Sequence, residues 1–257
     1  MTSQPSAGRR RLIVGNWKMN GNRQDNDRLL QEILQGWNPL KDTDTVICPP
    51  FVYLQQVAQA LESSQIMWGA QSTNAEQAGA YTGEVSASML ADMGCRYVIV
   101  GHNERRRLQG EDNAQVAAQY TAVLDAGLIP ILCVGESSEQ REAGQALATI
   151  ESQLQAVIDH AGLESFARAV VAYEPIWAVG TGKTATPEEA EQVHGFIRET
   201  FGHLGQQLTI LYGGSVKPSN AAELFAKADI DGALLGGASL NADDFIAVCQ
   251  HAESADK

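Results

Sequence analysis

Eight short apolar runs rich in β-branched residues recur along this chain at intervals of roughly 30 residues, and no other feature restricts its possible folds so tightly. They are Leu12-Ile13-Val14, Thr45-Val46-Ile47-Cys48, Ile66-Met67-Trp68, Tyr97-Val98-Ile99-Val100, Ile131-Leu132-Cys133-Val134, Ala169-Val170-Val171-Ala172, Leu208-Thr209-Ile210-Leu211 and Ala233-Leu234-Leu235. Each is continuous rather than alternating, the pattern of a strand buried on both faces, and the spacing suits a strand followed by a crossover helix. Helical stripes lie between them: Leu29, Leu30, Ile33, Leu34 and Trp37, then Val116, Tyr120, Val123 and Leu124, then Leu147, Ile150, Leu154, Val157 and Ile158. Thr186-Pro187-Glu188-Glu189 reads as a capping box with proline at the first helical position. Eight βα units without a linker predict a single-domain α/β protein, a closed (β/α)8 barrel with a parallel eight-stranded core; a doubly wound open sheet is the alternative. Residues 1–10 are expected to form a disordered tail and residues 11–257 the barrel domain.

Composition excludes several classes. With 257 residues, 44% of them hydrophobic, the chain can bury a large core. No apolar run approaches the ~20 residues of a membrane span, and the opening MTSQPSAGRRR lacks the apolar segment of a secretory signal. Cys48, Cys95, Cys133 and Cys249 have no paired spacing, so they read as small core residues of a reducing, cytoplasmic compartment, and no metal site is expected. A net charge of -13 argues against nucleic acid, because phosphate backbones are held by basic stripes. The interior basic cluster Arg105-Arg106-Arg107 reads as a solvated or interface face.

The C-terminal ends of the expected strands carry the chemistry. Asn16 and Lys18 come after the first, His102 after the fourth, Glu174 after the sixth, Gly213-Gly214-Ser215 after the seventh and Gly236-Gly237 after the eighth. In a barrel these positions share one rim, so a carboxylate, an imidazole, an ammonium and glycine-exposed amides converge on one pocket. The glycine-rich segment ending in Gly182-Lys183-Thr184 is no nucleotide loop: such a loop needs glycine five residues before Gly182, where Trp177 stands. Pro175 biases Glu174 toward an extended conformation, so the strand reaches the carboxylate and then turns. Stiff Pro175 and Trp177 followed by free Gly180 and Gly182 suit either a moving lid or an ordinary βα loop.

The segments GNWKMN (15–20), GHNERR (101–106), AYEPIWAVGTGKTAT (172–186), YGGS (212–215) and LLGGASL (234–240), with Ala70-Gln71 and Tyr81-Thr82-Gly83-Glu84, closely resemble the triosephosphate isomerase family, in order, from about Leu12 to the last helix. The resemblance implies a TIM barrel that interconverts dihydroxyacetone phosphate and D-glyceraldehyde 3-phosphate through an enediolate, in glycolysis and gluconeogenesis, without metal or cofactor. This family is a standard case of such a base, neutral histidine and lid, so those roles are carried over from it. Glu174 would be the general base, strengthened as the lid over 175–185 expels water, and His102 a neutral imidazole that polarises the carbonyl beside the first helical turn Asn103-Glu104-Arg105. Lys18 would stabilise the developing oxyanion and Asn16 would donate a hydrogen bond nearby. Amides of Gly180, Ser215, Gly236 and Gly237 would hold the phosphate. Glu104 would anchor Lys18, and Tyr212 would hold the closed lid through the backbone near Ala185.

The resemblance also implies a homodimer, in which the loop from Gln71 to Glu84 inserts beside the partner's Asn16 and the partner's Lys18, with Thr82 reaching the partner site. Two positions depart from the family pattern. Asn103 stands where serine is usual, near the resting base, so Glu174 is expected to rest in a slightly different open position. Ser72 stands where asparagine is common in the interface loop. Two other readings stay open on the residues: another phosphate-binding barrel enzyme, such as a sugar-phosphate isomerase or a Schiff-base aldolase using Lys18, and a non-catalytic barrel scaffold. Borohydride trapping of Lys18 would mark the aldolase.

Overall fold

In the computed structural model, which describes residues 9–178 and 185–255, the eight runs become eight strands. They are β1 (Arg11–Asn16), β2 (Thr43–Cys48), β3 (Met67–Ala70), β4 (Tyr97–Val100), β5 (Ile129–Val134), β6 (Val170–Tyr173), β7 (Thr209–Tyr212) and β8 (Gly232–Leu235). All pair in parallel with their sequence neighbours, and β1 also pairs with β8, closing the barrel. Leu12, for instance, is opposite Asp44 on one side and Gly232 on the other.

Closure explains why the runs are apolar throughout. Alternate residues point inward, and Leu12, Val14, Val46, Cys48, Ile99, Ile131, Cys133, Val170, Ala172, Leu211 and Leu234 fill the barrel's interior. Their neighbours Ile13, Ile47, Val98, Leu132, Val171 and Ile210 point outward into a second buried layer beneath the helices. The helices that supply that layer begin where the chain offers caps. Thr186 accepts from the Glu189 amide and Glu189 answers on the Thr186 N–H, opening α7 (Pro187–Thr200) with its N1 proline. Asp112 and Gln115 do the same for α4 (Asn113–Asp125), and Ser137 and Gln140 for the short α5 (Ser138–Glu142). From α6 (Ala146–Ala161), Ile150, Leu154 and Val157 are fully covered, whereas Leu147, in its first turn, stays 37% exposed.

Three local expectations are adjusted. Ile66 is buried but precedes β3, because its N–H is taken by Ser64 Oγ at 3.1 Å instead of by a strand neighbour. Arg9 and Arg10, placed in the tail on sequence grounds, bond to the barrel: Arg9 Nε to Asp231 at 2.8 Å and Arg10 Nη2 to Asp44 at 2.8 Å. The arginine triplet is not one solvated face. Residues Arg105–Gln109 form a π-helical turn that rotates Arg106 inward, where it donates to the Gly101 carbonyl and to Asn113 Oδ1, each at 2.8 Å, while Arg107 stays outside.

Candidate active site

Strand parity decides what reaches the rim. Asn16 continues the inward series Leu12, Val14, and Glu174 continues Val170, Ala172, so the last inward position of each strand carries a polar group at the C-terminal mouth. They share a cavity of about 530 Å³ with Lys18, His102 and Asn103 and with residues 213–217 and 234–238. Sequence positions more than 200 residues apart thus meet in one hollow.

Glu174 and His102 are both buried, and His102 Nε2 lies 2.9 Å from Glu174 Oε1. The Glu104 amide donates to His102 Nδ1 at 3.3 Å, which leaves the ring proton on Nε2, facing the carboxylate. Asn103 completes the set, its N–H reaching Glu174 Oε2 at 2.9 Å and its carboxamide Nδ2 reaching Oε1 at 2.7 Å. Burial pushes the Glu174 carboxyl up, but His102 and the two Asn103 donors pull it further down, to a net position below the ordinary carboxylate value. For His102 burial works downward, and contact with the Glu174 carboxylate outweighs it, holding the imidazole above its ordinary value. Each group in this pair supports the charge of the other.

Lys18 sits in an unusual backbone state, φ 54°, the one positive φ outside glycine among the described residues. Two side-chain amides brace it: Asn16 Oδ1 accepts from the Lys18 N–H at 3.0 Å, and Gln71 Nε2 donates to the Lys18 carbonyl at 2.9 Å and to the Cys48 carbonyl at 2.8 Å. Glu104 Oε1 holds the ammonium at 2.5 Å.

The glycines at the strand ends divide by job. A Cβ on Gly213 would come within 2.8 Å of Glu174 Cγ, and the Gly213 N–H is already given to the Tyr173 carbonyl at 2.7 Å, so this glycine makes room for the carboxylate. A Cβ on Gly237 would meet nothing within 4 Å and one on Gly236 would only touch Lys18 at 3.4 Å, so these two keep the cavity open instead of relieving a clash. Ser215 lines the same hollow. Gly180 and Gly182 lie outside the described residues.

On the flank of that segment, Pro175 leads into a short 3-10 turn over Ile176–Ala178. Trp177 Nε1 donates to Glu136 at 2.8 Å, Tyr173 Oη donates to the same oxygen at 3.1 Å, and the Arg141 guanidinium lies 4.3 Å from the Trp177 ring centroid. Arg141 also reaches Glu189 at 2.7 Å, across in α7. The Tyr212 hydroxyl is buried and unpartnered among the described residues; burial pushes it up to about 12, tempered by the nearby Ala185 amide. Thr82 and Glu84 are exposed and outside the cavity lining, with Glu84 bonded to Asn74 at 2.8 Å, while Gln71 is turned into its own chain.

Sequence reasoning missed Glu136, Arg141 and the bracing by Gln71. Glu136 is a fully buried acid just beyond β5, a placement that strand periodicity could have flagged, whereas its partners depend on β5 and β6 lying side by side. Chemically, the mouth combines a carboxylate able to take a proton, an imidazole N–H able to polarise an oxygen, and a fixed cation beside both. Among the described residues no group of three or more His, Cys, Asp or Glu could hold a metal ion.

Comparison with known proteins gives this geometry a family context. The triosephosphate isomerase family model matches residues 11–252. A triosephosphate isomerase from Thiobacillus denitrificans is 54% identical, with 95% of this chain and 99% of the relative covered. Those from Nitrosomonas europaea and Dechloromonas aromatica are 50% and 52% identical, over 96% and 95% of this chain and 100% and 99% of their own.

Proposed function

The chain belongs to the triosephosphate isomerase family, and from that membership and the geometry of the mouth we propose that it interconverts dihydroxyacetone phosphate and D-glyceraldehyde 3-phosphate. The observation that carries the reading is the contact of Glu174 with His102 beside Lys18, over a cavity that Gly236 and Gly237 leave open. Glu174 takes the proton from the carbon next to the carbonyl and returns it to the neighbouring carbon. Resting, it is a weak base, held by three donors; substrate must part it from Asn103 and His102 before it can act.

That parting also sets the histidine. Once Glu174 turns to the substrate, the largest influence that raises the His102 pKa is removed; the Glu104 carboxylate still raises it, but burial, Lys18 and the Glu104 amide on Nδ1 all favour the neutral ring. A neutral Nε2–H can donate to the substrate oxygen without surrendering its proton outright. Lys18 stabilises the enediolate oxygen, held in place by Glu104, Asn16 and Gln71. Amides at Ser215, Gly236 and Gly237, joined by Gly180, receive the phosphate under a lid over 175–185 that Tyr212 and Gly182 help to close.

The protein acts as a homodimer in the cytoplasm, its 71–84 loop covering the partner's mouth. Met19, Val52, Leu108 and Met89 are 96, 81, 68 and 52% exposed, large apolar groups that such a contact would cover. No helix among the described residues is long and apolar enough to cross a membrane. The test is steady-state turnover of both triose phosphates with a chelator present. Wild type should be fast, and Glu174→Gln should lose several orders of magnitude; a folded, dimeric wild type inactive on both would overturn the reading.

A further inference from the structure

A base is placed by its backbone as well as by its side chain, and we infer that Gln153, in α6, is a positioning residue that acts on Glu174 through Gly135. For its effect on turnover this rests on the isomerase reading; the contacts themselves do not. Gly135 is buried where the chain leaves β5, and both of its backbone polar groups turn to α6 instead of to a strand. Its N–H donates to Gln153 Oε1 at 2.9 Å and its carbonyl accepts from Gln153 Nε2 at 3.0 Å, so one carboxamide satisfies the two together. Neither group has another partner among the described residues. A buried donor or acceptor left unmet costs free energy, so the amide is held as firmly as it holds. Turned over, it would set donor against donor and acceptor against acceptor.

The clamped peptide lies directly against the base. A Cβ on Gly135 would collide with the Glu174 carbonyl oxygen, so the two backbones touch. Val134, just before Gly135, accepts the Glu174 N–H on its carbonyl at 2.8 Å. Glu136, just after it, takes the Tyr173 hydroxyl and the Trp177 indole N–H on one oxygen. Gln153 thus fixes the two peptide units that run from the residue holding the Glu174 backbone to the residue holding the flank of the 175–185 segment. On the other side β6 is tied separately, by the Gly213 N–H on the Tyr173 carbonyl at 2.7 Å. Loss of the clamp therefore loosens Glu174 on its β5 side only, and a small displacement of a base from its reacting carbon lowers rate steeply. Gln153 is half-buried and borders an outer hollow of about 430 Å³ with Asn113, Gln140 and Thr149, so replacing it opens no void in the barrel.

Amide hydrogen exchange of the free protein reads the clamp without any turnover. In Gln153→Met, of similar length but with neither donor nor acceptor, the Gly135 N–H should exchange about tenfold faster and the Glu174 N–H about fivefold faster, with the Gly213 N–H within about twofold of wild type. In the steady state kcat per folded molecule should fall about tenfold, while inhibition by inorganic phosphate, which reads the far side of the mouth, should change less than about twofold. A merely structural role would lower the folded fraction and leave kcat per folded molecule as it was, and that outcome overturns the inference. Gln153→Asn, one carbon shorter, can reach only one of the two groups; it should give smaller shifts of the same kind and decides the matter if the methionine variant does not fold. A folded variant whose Glu174 N–H exchanges at the wild-type rate would equally overturn it. An enzyme inactive on triose phosphates that still shows both exchange shifts would overturn the proposed reaction and leave the clamp standing.

Discussion

The two ends of the barrel both bury charge, and they treat it in opposite ways. At the N-terminal end Arg198 gives its guanidinium to Asp229 at 2.6 Å, to Asp231 at 2.8 Å, to the Leu208 carbonyl at 2.9 Å and to the Gly205 carbonyl. Asp231 answers Arg9 as well and accepts the Ile210 N–H at 2.9 Å, and Arg11 ties β1 to the Phe225 and Ala255 carbonyls at 3.0 and 2.8 Å. Within this cluster donor and acceptor are matched across strands and helices, while nearby Thr43 Oγ1, at the start of β2, has no partner among the described residues. At the C-terminal end the groups are matched only provisionally: Glu174 and His102 satisfy each other, Lys18 holds a strained backbone, and Asn103 Oδ1 and Tyr212 Oη have no partner among the described residues. Saturation serves stability; a network that must open for a ligand cannot be saturated in its closed form.

The contrast predicts different losses. Arg198→Met should cost most, about 3–5 kcal/mol in urea unfolding, because Asp231 is left buried with too few partners, yet kcat/KM of the folded protein should change less than about twofold. A large fall in kcat/KM with little change in stability would erase the division between the ends.

His194 spans the two. Its ring packs against Tyr173 and Tyr212 at centroid distances of 5.9 and 6.3 Å, while Nδ1 faces the Asp229 carbonyl at 3.2 Å. Burial depresses its pKa to about 4. Since the unfolded histidine binds a proton at a higher pH than the folded one, stability should be intact above the ordinary histidine pKa of ~6.5 and fall as pH drops toward 4, by up to about 3 kcal/mol. Unfolding of His194→Gln measured at pH 7, 5.5 and 4.5 should show a shallower slope than wild type; an equal slope would remove His194 as the cause.

At the catalytic end, Gln71→Leu frees the Lys18 carbonyl and should lower kcat/KM about tenfold, equivalent to ~1.4 kcal/mol. In a Lys18→Met background the same change should add little, whereas full additivity would show that Gln71 acts elsewhere. The smallest effect belongs to Arg10→Gln. Its pair with Asp44 lies at the N-terminal end too, but Arg10 is 54% exposed, so urea unfolding should shift by less than about 1 kcal/mol. That separates buried saturation from mere salt-bridge count.

How much of this was legible beforehand differs by residue. Tyr97–Val100 is a strand over the very residues that sequence marked, and Asn16, Lys18, His102 and Glu174 meet at one mouth as strand-end positions in a barrel must. Asn103, which the sequence places near the resting base, lies against it and donates its carboxamide N–H to Glu174. Its orphaned oxygen, the inward turn of Arg106, the link from Glu136 to Trp177 and the brace from Gln71 to Lys18 were not legible, for each needs the actual distance between strands or the rotation of a turn.

Sequence by itself determined the number of βα units, the buried character of every strand and the chemical types that end them, because periodicity and caps act over a few residues. Tertiary structure alone decided who partners whom. Arg9 meets Asp231 across 222 positions and Glu174 meets Asn103 across 71. The first pair exists only once β1 has closed onto β8 and the second only once β4, β5 and β6 lie side by side, and their burial, which strengthens each hydrogen bond and makes each missing one costly, comes into being with that assembly.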